Sequence, residues 1–95
     1  MPRFEWDPGK ALRNLGKHGV SFEEAASAFG DPLGLIVSDP RHSVEEERLV
    51  LLGLSRERRL LAVMFTERGD GVRLISARRA TSRERRDYGE GAQEE

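Results

Sequence analysis

Apolar residues are spaced in two ways along this chain, and each spacing predicts an element. Leu60-Leu61-Ala62-Val63-Met64-Phe65 is an unbroken apolar run too short for a helix, which predicts a strand covered on both faces. Thr66-Glu67-Arg68-Gly69-Asp70-Gly71 supplies turn residues, and the return from Val72 alternates. Val72, Leu74 and Ser76 fall on one face, Arg73, Ile75, Ala77 and Arg79 on the other, and Arg78 leaves at the strand end. A hairpin over 60–79 therefore leads a core strand into a cationic cluster. Thr81 with Glu84 three residues on is a capping box, so a short charged helix follows.

Upstream, helical spacing takes over. Arg3-Phe4-Glu5-Trp6 alternates as a first strand, and Asp7-Pro8 opens a helix to about His18. On it Ala11, Leu15 and His18 share a face with Leu12 beside them, and Gly19 is the stop. Ser21 and Glu24 predict a second capping box, with Phe22, Ala25, Ala26 and Phe29 as the buried stripe up to Gly30. Leu33 to Ser38 reads as a strand, Asp39 to Ser43 as a loop, and Glu47 to Leu54 as another strand in which Gly53 marks a candidate bulge. The order β-α-α-β-β-β-β-α predicts an α+β domain: a twisted, mostly antiparallel sheet with two N-terminal helices on one face and a short C-terminal helix. Residues 1–88 form the single domain, and 89–95 are an acidic tail expected to be disordered. Strands 49–54 and 60–65 are apolar on both sides, so either a partner or the last helix and loops must cover the second face.

Composition adds limits. Ninety-five residues with 37% hydrophobic content make one domain, and the absence of cysteine rules out disulfides and thiolate metal sites. No run reaches the length of a membrane span and the first residues lack a signal-peptide stretch, so a cytoplasmic protein without a membrane partner is expected. The net charge of −1 hides an asymmetry: from Arg56 to Arg86 ten arginines face four acids, leaving the rest of the chain at −7. That is a basic binding surface on an acidic body, or a solvated charged face. The basic residues of that segment are all arginine, which suits bidentate phosphate recognition.

FEWDPGKA, LGKHGVSFEEAASAF, FTERGDGVRLISARRAT and ERRDY, in collinear order from Phe4 to about Tyr88, resemble the BrnT family, the toxin half of a type II toxin–antitoxin pair with a RelE-like ribonuclease fold. The resemblance implies a cytoplasmic prokaryotic endoribonuclease that cleaves RNA, halts translation and needs no cofactor. It also implies neutralisation by a BrnA-type antitoxin, whose ribbon-helix-helix domain is the route to DNA; a homodimer of the chain alone is left open. A non-catalytic antitoxin- or RNA-binding module of the same fold is the alternative, since a fold certifies itself better than an activity. Direct DNA binding is disfavoured, because no helix-turn-helix or base-reading helix is present.

Cleaving RNA without metal requires a group to take the 2′-OH proton, cations for the phosphorane and a group to protonate the leaving oxygen. His18, at the end of its helix, is either a proton-transfer group or a partly buried cap. Lys17 is a phosphate contact or an ordinary last-turn cation. Arg78 and Arg79 end a rigid strand before a helix N-terminus and are the leading candidates for stabilising the phosphorane. Arg68, Arg73 and Arg83 could extend a phosphate surface or pair with nearby acids. Glu84 and Tyr88 share a face of the last helix, as catalytic groups or as a capping acid and a packing ring. No metal site is expected: His18 and His42 lie far apart in the chain, with no acid at ligand spacing.

Overall fold

The computed structural model describes residues 2–38 and 47–93; the loop expected at Asp39–Ser43, with His42, lies outside them. In chain order the elements are β1 (Arg3–Glu5), α1 (Pro8–His18), α2 (Phe22–Ser27) running into a 3-10 turn at Ala28–Gly30, β2 (Leu35–Ser38), β3 (Leu49–Leu54), β4 (Leu60–Arg68), β5 (Gly71–Arg79) and α3 (Ser82–Gln93). The five strands form one sheet in the order β1-β5-β4-β3-β2. Every pair is antiparallel except β1 with β5. Class and element order are those the sequence predicts.

Local chemistry sets the helix ends. The Asp7 carboxylate accepts from the Lys10 amide at 2.9 Å, and Pro8 occupies the first turn, where a missing N–H costs nothing. Gly19, at φ 69°, turns the chain out of α1 while its N–H bonds the Leu15 carbonyl. The core lies between the helices and one face of the sheet, where Val20, Phe22, Ala25 and Ala28 meet Leu51, Leu61, Val63, Phe65, Val72, Leu74 and Ala77. Edge-on ring contacts, Phe4 to Phe29 at 5.1 Å and Phe29 to Phe65 at 5.0 Å, tie β1 to that core. Each such pair adds about 0.5–1.5 kcal/mol beyond area burial.

The structure departs from the sequence reading in several places. The hairpin turn shrinks to Gly69-Asp70, because a two-residue Gly-containing loop matches the twist of the strands and lets both extend. Gly53 sits in regular register opposite Leu61; it is glycine because a Cβ there would lie 2.8 Å from the Ala28 carbonyl oxygen. The irregularity is on β5 instead, where Phe65 pairs with Leu74 and Met64 with Ser76, leaving Ile75 as the extra residue. That bulge moves Ala77 and Arg79 onto the face of Val72 and Leu74, and Arg78 onto the opposite face with Ser76. On α1 the buried residue is Asn14, whereas Leu12 and Leu15 face outward.

The second face of the sheet is covered in part from within, with Val37 and Leu54 left exposed on it. Leu52, Leu60 and Ala62, which by alternation point away from α1 and α2, are all buried. α3 lies on that side: its Glu84 holds Arg78, its Tyr88 hydroxyl reaches Asp31, and Gly91 packs over Leu35. The helix therefore continues past Tyr88 to Gln93, into residues expected to be disordered. Gly89 and Gly91 weaken helix propensity, and docking on the sheet offsets it.

Candidate nucleic-acid interface

β1 is only three residues long and pairs with Gly71, Val72 and Arg73, so among the described residues the outer edge of β5 beyond Arg73 has no strand partner. Asn14 takes that place. Its amide nitrogen donates to the Ala77 carbonyl at 2.8 Å and to the Val20 carbonyl at 2.9 Å, and its side-chain oxygen accepts from the Ala77 N–H at 3.0 Å. One buried amide thus satisfies a strand edge and the turn between two helices at once. This pins α1 alongside β5, running from the Arg73 end towards the Arg79 end.

The flank of α1 next to that edge is cationic. Lys10, Arg13, Lys17 and His18 line an open groove of about 270 Å³ with Asn14, Ile75 and Ser76. Positions 10, 13, 14 and 17 recur at helical spacing, so a single face of α1 carries the charge. Among the described residues, no carboxylate lies within ion-pair distance of Lys10, Arg13 or Lys17. Three unneutralised cations beside a half-buried imidazole can hold a phosphodiester and move a proton at it.

The C-terminal end of α1 is fastened by a second buried network. Glu24, on α2, receives both the Nε and an Nη of Arg59, the former at 2.9 Å, and the Ser55 hydroxyl at 2.7 Å. Arg59 also donates to the Gly19 carbonyl at 3.0 Å, next to His18. The Arg59 hydrogen bonds, with help from Ser55 and against the pull of burial, hold the Glu24 carboxyl below its ordinary range. Ser21 caps α2 as expected, accepting from the Glu24 amide at 3.0 Å, but the Glu24 carboxylate turns to Arg59 rather than closing a capping box.

The nine residues singled out in the sequence do not form one cluster. Lys17 and His18 share the α1 groove. Arg79 is exposed at the end of β5 towards which α1 runs. Arg78, on the other face, is held by Glu84 through two parallel hydrogen bonds of 2.8 and 3.0 Å. Glu84 completes the capping box as well, accepting from the Thr81 amide at 2.9 Å while Thr81 accepts from its N–H at 3.2 Å. The Arg78 hydrogen bonds hold the Glu84 carboxyl low. Tyr88 donates to Asp31 at 2.6 Å, and burial together with that carboxylate pushes the phenol up to about 12. Arg68 is at the hairpin tip beside Arg3 and Gly71, roughly 25 Å of strand from Arg79. Arg73 is half-buried between Glu5 and Thr66, and Arg83 is exposed on α3. Sequence reasoning missed Lys10 and Arg13, which become visible only once Asn14, a polar residue amid the apolar spacing of α1, is placed against β5.

Similarity to known proteins bears on the same elements. The crystal structure of the Brucella abortus ribonuclease toxin BrnT superposes with a TM-score of 0.62 at 24% identity, covering 86% of this chain and 100% of that one. No curated protein matches the chain. A family model described as "Ribonuclease toxin, BrnT, of type II toxin-antitoxin system" matches residues 6–84. That span holds α1, the whole of β5 and the first turn of α3, so both walls of the cationic groove lie within it, and the chain belongs to the BrnT family, the ribonuclease toxins of type II toxin–antitoxin systems.

Proposed function

We propose that the groove between α1 and the free edge of β5 is where this toxin binds and cuts RNA, without a metal ion, in the cytoplasm. The observation that carries it is the convergence of Lys10, Arg13 and Lys17 beside His18, with no carboxylate among the described residues within ion-pair distance of them. Lys10, Arg13 and Lys17 stabilise the charge that builds on the phosphorane. His18 moves the proton, either from the 2′-OH or to the leaving 5′-oxygen. Arg79, and Arg83 on α3, extend the phosphate surface beyond the groove. Cleavage inhibits translation, and a partner of the BrnA type, with a ribbon-helix-helix domain that contacts DNA, neutralises it.

Neutralising Lys10 and Lys17 together by alanine tests the site. The slope of log affinity against log salt for single-stranded RNA should fall by about 1.4, that is about 0.7 for each lost phosphate contact. Cleavage should persist in the presence of a chelator in the unaltered chain. An unchanged salt slope in the folded double variant would move the RNA surface elsewhere.

A further inference from the structure

The other flank of α1 is apolar and open. Trp6, Pro8, Ala11, Leu12, Leu15 and Phe22 form the apolar part of a groove of about 360 Å³ between α1 and the start of α2, and Ser21 and Glu23 complete its lining. Leu12 is 72% exposed and Leu15 48%, so neither is where it is to complete the core. Between this groove and the cationic flank, the outermost line of α1 is occupied by Gly9 and Gly16, which follow Leu12 around the helix and precede Arg13 and Lys17. Glycine inside a helix lowers its stability, and the fold does not require it at 16: a Cβ there would meet nothing within 4 Å. At Gly9 the Asp7 carboxylate and the Arg13 guanidinium lie close to the ridge, but at Gly16 it is bare, flanked by leucines on one side and cations on the other, and another helix can cross α1 there at close range.

We propose that this surface receives an acidic amphipathic helix of the antitoxin. Its apolar side chains seat against Leu12 and Leu15, its backbone crosses over Gly16, and its carboxylates reach Arg13 and Lys17. Charge selects this occupant: among the described residues no carboxylate lies within ion-pair distance of Arg13 or Lys17, the cations bordering the leucines, and an acidic helix pairs with them as it buries the apolar side chains, its carboxylates turned away from Glu23. Neutralisation then works by competition, since the partner's carboxylates occupy cations that would hold the RNA phosphates. The competition rests on the RNA site proposed above; the docking surface does not.

The test uses the full chain with its cognate antitoxin and two variants outside the RNA groove, Leu12→Glu and Gly16→Leu. RNA cleavage by each variant alone should match the unaltered chain, while the antitoxin concentration for half-inhibition and the Kd by calorimetry both rise at least about tenfold. Gly16→Leu is the cleaner arm, because it favours the helix it sits in. Wild-type neutralisation of both variants would overturn the docking surface. So would a dimer of the chain alone, seen by sedimentation and abolished by Gly16→Leu, because a second copy would then be the occupant. RNA that still binds the toxin–antitoxin complex through the α1 groove would overturn the competition. If instead Lys10 and Lys17 prove irrelevant to RNA while both variants escape the antitoxin, the RNA site fails and the docking surface stands.

Discussion

Two cationic regions of this molecule carry similar charge and do opposite things with it. In the turn before β4 and at the end of β5, arginines sit beside acids that the fold has brought to them: Arg59 is bound by Glu24, and Arg78 by Glu84. On the flank of α1, Lys10, Arg13 and Lys17 have no such partner among the described residues. The richest run of arginine in the sequence is therefore partly internal wiring, and the more modest set on α1 is the charge left available to a ligand. Counting cations along a chain measures charge; only the fold shows how much has been neutralised.

The comparison breaks first at His18. His18→Ala should lower RNA cleavage by about 10²–10⁴-fold, the usual contribution of a positioned acid or base, with little change in melting temperature. Cleavage that survives in a folded His18→Ala protein would leave the α1 groove as a binding surface only.

The next largest effect belongs to the fastening of α1. Glu24→Ala leaves Arg59 and the Ser55 hydroxyl without their acceptor, a loss of about 3 kcal/mol in stability. The sign with pH follows from the depressed Glu24 carboxyl. Its stabilisation is fully present above the ordinary value of 4.5 and is lost as pH falls through the lower folded value. Urea unfolding at several pH values should show the acid limb of the stability profile flattened in Glu24→Gln. An unaltered acid limb would assign that limb to other carboxylates.

Arg78 separates the regions most directly. Because its two charge-assisted bonds run to Glu84, with a third, longer one to the Arg79 carbonyl at 3.3 Å, Arg78→Ala should cost roughly 1–2 kcal/mol of stability and Glu84→Ala a similar amount, with cleavage per folded molecule unchanged. A drop in cleavage of the folded Arg78→Ala protein would return it to the reaction and make Glu84 a gate on its charge.

How far the sequence could be read follows the same division. Strands, caps and the hairpin were legible because each is local: Asp7-Pro8, the Gly19 stop and the Thr81/Glu84 box are decided by residues within a few positions. The bulge at Ile75 was not, since an extra residue in β5 is defined only against Met64 and Phe65 across the ladder. It inverted the face assigned to Ala77 and Arg79, and it put Arg78, read as leaving at the strand end, on the face of Ser76. Asn14 was missed for a related reason: its partner Ala77 is 63 positions away, so the face read from Ala11, Leu15 and His18 with Leu12 beside them gave no sign that Asn14 is buried while Leu12 and Leu15 are exposed. Long-range polar pairing, invisible to periodicity, decided which cations share a groove.

The smallest expected effect concerns Tyr88, which the sequence left between catalysis and packing. Its hydroxyl donates to Asp31, which also accepts from the backbone amides of Leu33 and Leu54 at 2.9 and 2.8 Å. Burial alone would raise the Asp31 carboxyl, yet these three donors outweigh it and keep the group ionised below its ordinary value. Tyr88→Phe keeps the ring against the sheet and removes one donor of three, so it should cost roughly 1 kcal/mol and leave cleavage intact. The phenol carries its own pH signature. Because its folded pKa is raised from 10.0 to about 12, the neutral phenol is favoured in the folded state; its contribution holds below pH 10 and disappears as pH climbs towards 12. Chemical unfolding across that interval should show a decline in the unaltered protein that Tyr88→Phe lacks. A Tyr88→Phe protein of undiminished stability that no longer cuts RNA would place the phenol in the chemistry and carry the active surface from α1 round to α3.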